Sequence, residues 1–197
     1  MKSKIKLSLG LLFLMTNFIF PENYILKIDS MVLLIDEKIA DQDLYQRNIE
    51  YGYTVIPGIG HTRTETTIFY DMVERFENDD LRHDEVIFKI INIYFYSRFF
   101  SHEQIYYSPD GSPLYVNARI YNNMTESTDD VLYQEKYYFH ENQPLKVIIQ
   151  NQEYTQITDS VWIFARDYYQ HCMNLLENVQ NYPLSIPPIQ SNYPEEF

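Results

Sequence analysis

Cysteine, glycine and basic residues are all scarce in this chain of 197 residues. The single cysteine, Cys172, excludes an intramolecular disulfide, so no cystine framework holds the fold. Of the five glycines, Gly58 and Gly60 form the one closely spaced pair. They lack the following Gly and Lys, and the strand–turn–helix setting, of a phosphate loop. Lys and Arg number 15 against 28 Asp and Glu, a formal net charge of −13. Residues 1–20 hold three of the lysines and no acid, so without them the balance is 12 against 28, or −16. A field of that sign repels phosphate backbones and anionic membrane surfaces, which excludes nucleic acid as a partner. It is the charge of an exported protein kept soluble.

Motifs of catalysis are missing as well. There is no nucleophile elbow, Walker loop, zinc-binding HExxH or nucleotide fingerprint. The five histidines are His61, His83, His102, His140 and His171, and three sit next to acids, in His83-Asp84-Glu85, His102-Glu103 and His140-Glu141. Neighbours along a strand point to opposite faces, so these pairs read as solvated turn residues and not as metal ligands. Glu65, Glu85, Glu103 and Glu135 lie on or at the ends of strand candidates. Two carboxylates across a sheet can serve as acid and base, but acids on the wet face of an acidic protein need no such role. Cys172 falls in a helical apolar pattern and reads as a small buried hydrophobe; adjacent residues do not face each other on a helix, so His171 does not activate it. No catalytic residue, cofactor or metal is assigned.

What the chain has in abundance is tyrosine, 19 copies, within a composition that is 45% hydrophobic and 16% aromatic. That fills one core, and tyrosine suits half-buried strands because its ring packs while its hydroxyl stays wet. The organising stretch is Tyr106-Tyr107-Ser108-Pro109-Asp110-Gly111-Ser112-Pro113-Leu114-Tyr115-Val116. It returns, degenerate, at Tyr137-Tyr138-Phe139-His140-Glu141-Asn142-Gln143-Pro144-Leu145-Lys146-Val147, 31 positions on. Each copy reads as a β-hairpin, and together they suggest an antiparallel meander. One conflict is visible. Alternation puts Ile105 with Tyr107 in the first copy but Tyr137 with Phe139 in the second, opposite registers that a bulge or burial on both faces would reconcile.

Taken in order, residues 1–20 read as a signal peptide. Lys2, Lys4 and Lys6 precede an apolar run to Phe20 that is shorter than the roughly 20 residues of a membrane span. A single domain is expected over 22–182, followed by a proline-rich tail over 183–197. Residues 22–49 read as an amphipathic helix with the stripe Ile25, Ile28, Val32, Ile35 and Ile39. Residues 51–61 read as a loop or short strand turning at Pro57–Gly60, and 71–84 as a short helix or a hairpin excursion. Strands are expected at 63–70, 85–97, 99–107, 113–121, 131–139 and 145–149, with a polar loop at 122–130. A second helix is expected over 158–179, with the stripe Val161, Phe164, Tyr168, Cys172, Leu175 and Val179. The fold class is therefore α+β: an N-terminal amphipathic helix, a meander of about six antiparallel strands and a C-terminal helix.

The two Tyr-Tyr…Pro-Leu-x-Val hairpins within residues 63–151 resemble those of a loose group of small exported bacterial proteins. Members have a signal peptide, an N-terminal helix, repeated hairpins of this kind and a C-terminal helix, and no established function. The resemblance implies a fold and a periplasmic or secreted location, and it carries over no site residue. The functional expectation is a non-enzymatic binding module that uses its Tyr-rich sheet face or its hairpin loops. Tyr106, Tyr115, Tyr121 and Tyr138 are its candidate contacts, because aromatic clusters bury much area at low entropic cost. The partner would be an envelope or secreted protein, or a glycan. The alternatives are a small enzyme or ligand carrier with a pocket between helix and curved sheet, and a structural envelope component.

Overall fold

The computed structural model of the chain describes residues 5–56, 60–77, 80–96, 98–122, 131–155 and 159–181. The first four residues, the turn at 57–59, most of the polar loop and the proline-rich tail lie outside them. Helix α1 (Ile5–Ala40) is followed by strands β1 (Tyr45–Ile56), β2 (Gly60–Glu77), β3 (Asp80–Phe95), β4 (Phe99–Tyr107), β5 (Pro113–Asn122), β6 (Val131–His140), β7 (Gln143–Ile149) and β8 (Gln152–Tyr154), and then by helix α2 (Asp159–Gln180). The strands form one antiparallel sheet in sequence order. The fold is α+β as expected, with eight strands where the sequence suggested about six. The two additions are β1 and β8, at the edges. Residues 71–84 are a hairpin excursion, the paired ends of β2 and β3.

The expected helix over 22–49 stops at Ala40 because the chain turns there. Gln42 adopts a left-handed φ of 61°. The Asp43 amide reaches back to the Lys38 carbonyl at 2.8 Å and the Gln42 amide to that of Ile39 at 3.2 Å. This is a Schellman closure with glutamine where glycine is usual, so the sequence gives little warning of it. The two-residue turns Glu141–Asn142 and Gln150–Asn151 likewise have positive φ at both positions, a type I′ pattern whose twist matches the flanking strands.

Turn length settles the register conflict of the repeat. Both hairpins carry a bulge at the same place: Tyr106 pairs with Tyr115 and Tyr107 with Pro113, while Tyr138 pairs with Lys146 and Phe139 with Pro144. Leu114 and Leu145 are therefore equivalent. The second turn is one residue shorter, so Tyr106 corresponds to Tyr138 and Tyr107 to Phe139. Ile105, Tyr107, Val116, Tyr137, Phe139 and Val147 then share one face and one core.

The two helices cross opposite faces of the sheet. On one face α2 buries Val161, Ala165, Cys172, Leu176 and Val179 against that core. The stripe is shifted from the expected one: Phe164 is exposed, and Ala165 and Leu176 face inward. On the other face α1 packs Val32, Ile35 and Ile39 against Phe69, Phe88, Ile91, Tyr106 and Tyr115. Ile28 is buried too, which bears out the stripe expected for this helix.

A left-handed φ strains any residue with a Cβ, and glycine relieves that strain. Gln42→Gly is expected to raise stability by about 0.5–1 kcal/mol. A urea midpoint unchanged or lowered in the variant would contradict the closure described.

Candidate binding groove and polar network

Three of the four candidate tyrosines lie in one transverse row. Strand pairing sets Lys89, Tyr106, Tyr115, Tyr138 and Lys146 side by side from β3 to β7. The rings are in contact, 5.7 Å between centroids for Tyr106 and Tyr115 and 4.9 Å for Tyr115 and Tyr138. An ammonium group lies over each end, Lys89 4.5 Å from the Tyr106 ring and Lys146 5.9 Å from the Tyr138 ring. Helix α1 lies along this row. Asp36 accepts hydrogen bonds from the Tyr106 hydroxyl at 3.0 Å and from buried Lys89 at 2.7 Å, and Asp29 accepts one from Tyr138. Burial and the Asp36 carboxylate push the Tyr106 hydroxyl well above its ordinary pKa, and burial and Asp29 raise that of Tyr115 to about 12. Tyr106 and Tyr138 are buried and Tyr115 is half-buried, all in contacts within the molecule. Tyr121 stands apart, buried against Phe100 at 4.7 Å.

On the α2 face a buried polar network forms that spacing in sequence gave no means of finding. Thr66, Asn92, Glu103, Ala118 and Glu135 occupy one row of β2 to β6. Thr66 donates to the Asn92 carbonyl oxygen at 2.7 Å, and the Asn92 amide donates to Glu103 at 2.9 Å. Glu103 also accepts from the Tyr168 hydroxyl and lies 3.4 Å from His171 Nε2. Glu103 is 68 residues from His171, which explains why the sequence pairs it only with its neighbour His102. Burial pushes the Glu103 carboxyl up, but hydrogen bonds from His171, Tyr168 and Asn92 and the His171 charge together hold it below the usual carboxylate range. Its hydrogen bond to Glu103 raises His171, against its own burial. Glu135, two strands away, accepts from Tyr133 at 2.6 Å and Tyr137 at 2.8 Å. The network fastens α2: Tyr168 stacks on Tyr137 at 4.6 Å, and the Tyr107 hydroxyl donates to the Cys172 carbonyl at 2.9 Å. Cys172 is fully buried, and its thiol is pushed far above the usual range by burial and by Glu103. It is no nucleophile in this state.

A groove of about 530 Å³ lies at the C-terminal end of α2. The first hairpin loop, Pro109 to Gly111, forms one wall, the base of the β2–β3 hairpin from His83 to Ile87 another, and Leu176 and Gln180 of α2 a third. The loop is held by Asp110, which accepts from the Ser112 amide at 3.2 Å and from Ser108; these bonds keep its carboxyl below the usual range. Gly111 has φ 83°, and a Cβ there would stand 3.2 Å from Leu176 Cδ2, so a residue without a side chain lets loop and helix meet. Arg47 is the groove's cation. Its Nη1 pairs with Glu85 at 3.2 Å and its Nη2 donates to the Val179 carbonyl at 3.4 Å. The acids Asp84, Glu85 and Asp110 outnumber it, and the last turn of α2 presents carbonyls with no basic residue of its own.

Among the described residues, no cluster of three His, Cys, Asp or Glu side chains is placed to hold a metal, and no helix is long and apolar enough to cross a membrane. Comparison with protein-family models, with curated proteins and with solved structures found no match.

Removing the Glu103 charge leaves His171 without its partner. Since His171 is 45% exposed, the loss is smaller than for a fully buried pair. Glu103→Gln is expected to destabilise by about 2 kcal/mol. A depressed carboxyl stabilises above its unfolded pKa and is lost as pH falls through the folded one. A raised histidine stabilises below its unfolded pKa and is lost as pH rises through the folded one. The difference between wild type and variant should therefore be greatest between acid pH and a pH somewhat above the ordinary histidine range, and shrink on both sides. A difference independent of pH would contradict the pairing.

Proposed function

We propose that this is an exported, non-enzymatic binding module whose recognition site is the groove at the end of α2, and that it takes a cationic segment of a secreted or envelope protein. The observation that carries the reading is the groove itself, about 530 Å³ of open concavity between the first hairpin loop and the helix. That is the size of ordinary ligand sites. Its lining combines apolar Val86, Ile87, Pro109 and Leu176 with acidic Asp84, Glu85 and Asp110. A partner with alternating basic and apolar side chains matches both. Export rests on Lys2, Lys4 and Lys6 ahead of the apolar run to Phe20. The reading joins two expectations from the sequence, binding through a hairpin loop and a pocket beside a helix.

Titrating the isotope-labelled protein with an acetylated peptide of alternating lysine and leucine tests it. Amide shifts are expected at Arg47, Asp84, Gly111 and Gln180, with an affinity that weakens with salt and falls about tenfold in Asp84→Lys, a change of roughly 1.4 kcal/mol. Shifts confined to other surfaces, or equal binding of a glutamate–leucine peptide, would end the proposal.

A further inference from the structure

Helix α1 covers only part of its sheet face. Its contacts run along the row Lys89, Tyr106, Tyr115, Tyr138 and extend to Ile91 in the next row. The row after that is Glu50, Glu65, Ile93, His102, Arg119 and Gln134, and beyond it come Arg63, Phe95, Phe100 and Tyr121. Alternate residues of a strand are about 6.7 Å apart, so the Arg119 row lies about 13 Å from the row beneath the helix. A helix with its side chains reaches about 5–6 Å from its axis and stops short of it.

Arg119 is incompletely used there. Its guanidinium carries five N–H donors. The one partner among the described residues is the Tyr121 hydroxyl, 3.5 Å from Nη1, and Nε is buried with no partner. A polar group left in that state is costly and calls for an explanation. Its cross-strand neighbour is half-buried His102, so two basic groups stand side by side on a chain with net charge −13. Burial, and then the charges of Arg119 and Lys89, hold His102 below its ordinary pKa, and an anion would offset both cations. Glu65, the nearest acid along the row, lies two strands from His102 and is paired with Arg63. Side-chain amides surround the pair. Gln104 and Asn117 are in the adjoining row beside Lys136, and Gln134 donates to Asn117 at 2.9 Å.

We propose that this half of the face, uncovered among the described residues, is a binding site for a carboxylated sugar, with Arg119 and His102 holding the carboxylate and Gln104 and Gln134 meeting ring hydroxyls. Charge complementarity selects the anion, and a guanidinium suits the two oxygens of a carboxylate. The position selects a sugar over an acidic peptide. β4, β5 and β6 are paired on both sides, so their backbone donors and acceptors are committed to the sheet. A peptide strand docks through a sheet edge, which this face does not offer. A sugar needs only side-chain amides for its hydroxyls and a cation for its carboxylate.

Calorimetric titration of the full chain with a trigalacturonate, a neutral trigalactose, a triglutamate peptide and inorganic phosphate tests the proposal. The uronate is expected to bind, with affinity falling as salt rises, and the neutral sugar to bind at least tenfold more weakly. Arg119→Gln and His102→Gln should each lower uronate affinity about tenfold, while circular dichroism reports an unchanged fold. Should Arg119→Gln fail to fold, the His102→Gln variant carries the test alone. Absence of uronate binding, equal affinity for uronate and neutral sugar, triglutamate or phosphate binding as tightly as the uronate, or folded variants that bind like wild type would each overturn it.

Discussion

The carboxylate of Asp36 ties the N-terminal helix to the middle strands of the sheet. Lys89 is buried on the α1 face, and Asp36 supplies its counter-charge at 2.7 Å while accepting the Tyr106 hydroxyl at 3.0 Å. An ammonium taken from water without a partner costs several kcal/mol. Asp36 thus fixes where along the sheet the helix must lie, and the tyrosine row follows, with tilted rings in contact across three strands beneath the helix and a lysine over each end. Once α1 is seated there, Tyr106, Tyr115 and Tyr138 are spent on cohesion, and the surface beyond Ile91 is left to Arg119 and His102.

The opposite face is built on the same plan with the charge on the other partner. Here the sheet supplies the carboxylate, Glu103, and the helix supplies His171 and the Tyr168 hydroxyl. Each helix is oriented by polar side chains that reach it from the middle strands, and each then buries an apolar stripe. The C-terminal end of α2 is carried out to β1, where Arg47 donates to the Val179 carbonyl. The groove exists because the helix ends there while β2 and β3 run on past it. The first hairpin loop lines it, and the second, one residue shorter and turned by Glu141–Asn142, does not.

Much of the fold was legible. Alternation and tyrosine content located the six middle strands, and the 3–4 spacing of Ile28, Val32, Ile35 and Ile39 located the face of α1. The failures have physical reasons. The start of β1, Tyr45 to Ile49, falls within the expected helix because the turn that ends α1 is made by Gln42, a residue that rarely takes that conformation, and the rest of β1 lies mostly in the stretch read as a loop or short strand. Strand β8 has three residues, too few for a period. Phe164 was placed inward because the core of α2 uses small Ala165, which hydrophobicity alone ranks lower. Residue type marks the candidate tyrosines, but whether a strand residue meets solvent or a helix is decided by what crosses the sheet, here Asp36, 70 positions before Tyr106, and Asp29, 109 positions before Tyr138. Glu103 and His171 needed the folded chain to meet at all.

The tyrosine row serves the inside of the molecule, and the proposed recognition sites, the groove and the far half of the α1 face, lie elsewhere. Tetranitromethane nitration of the native protein, mapped by mass spectrometry, tests this most directly. Tyr45, 57% exposed, should be nitrated readily, and Tyr106 and Tyr138, 2% and 9% exposed, should stay unmodified until the protein unfolds. Nitration of Tyr106 and Tyr138 at the rate of Tyr45 would contradict the account.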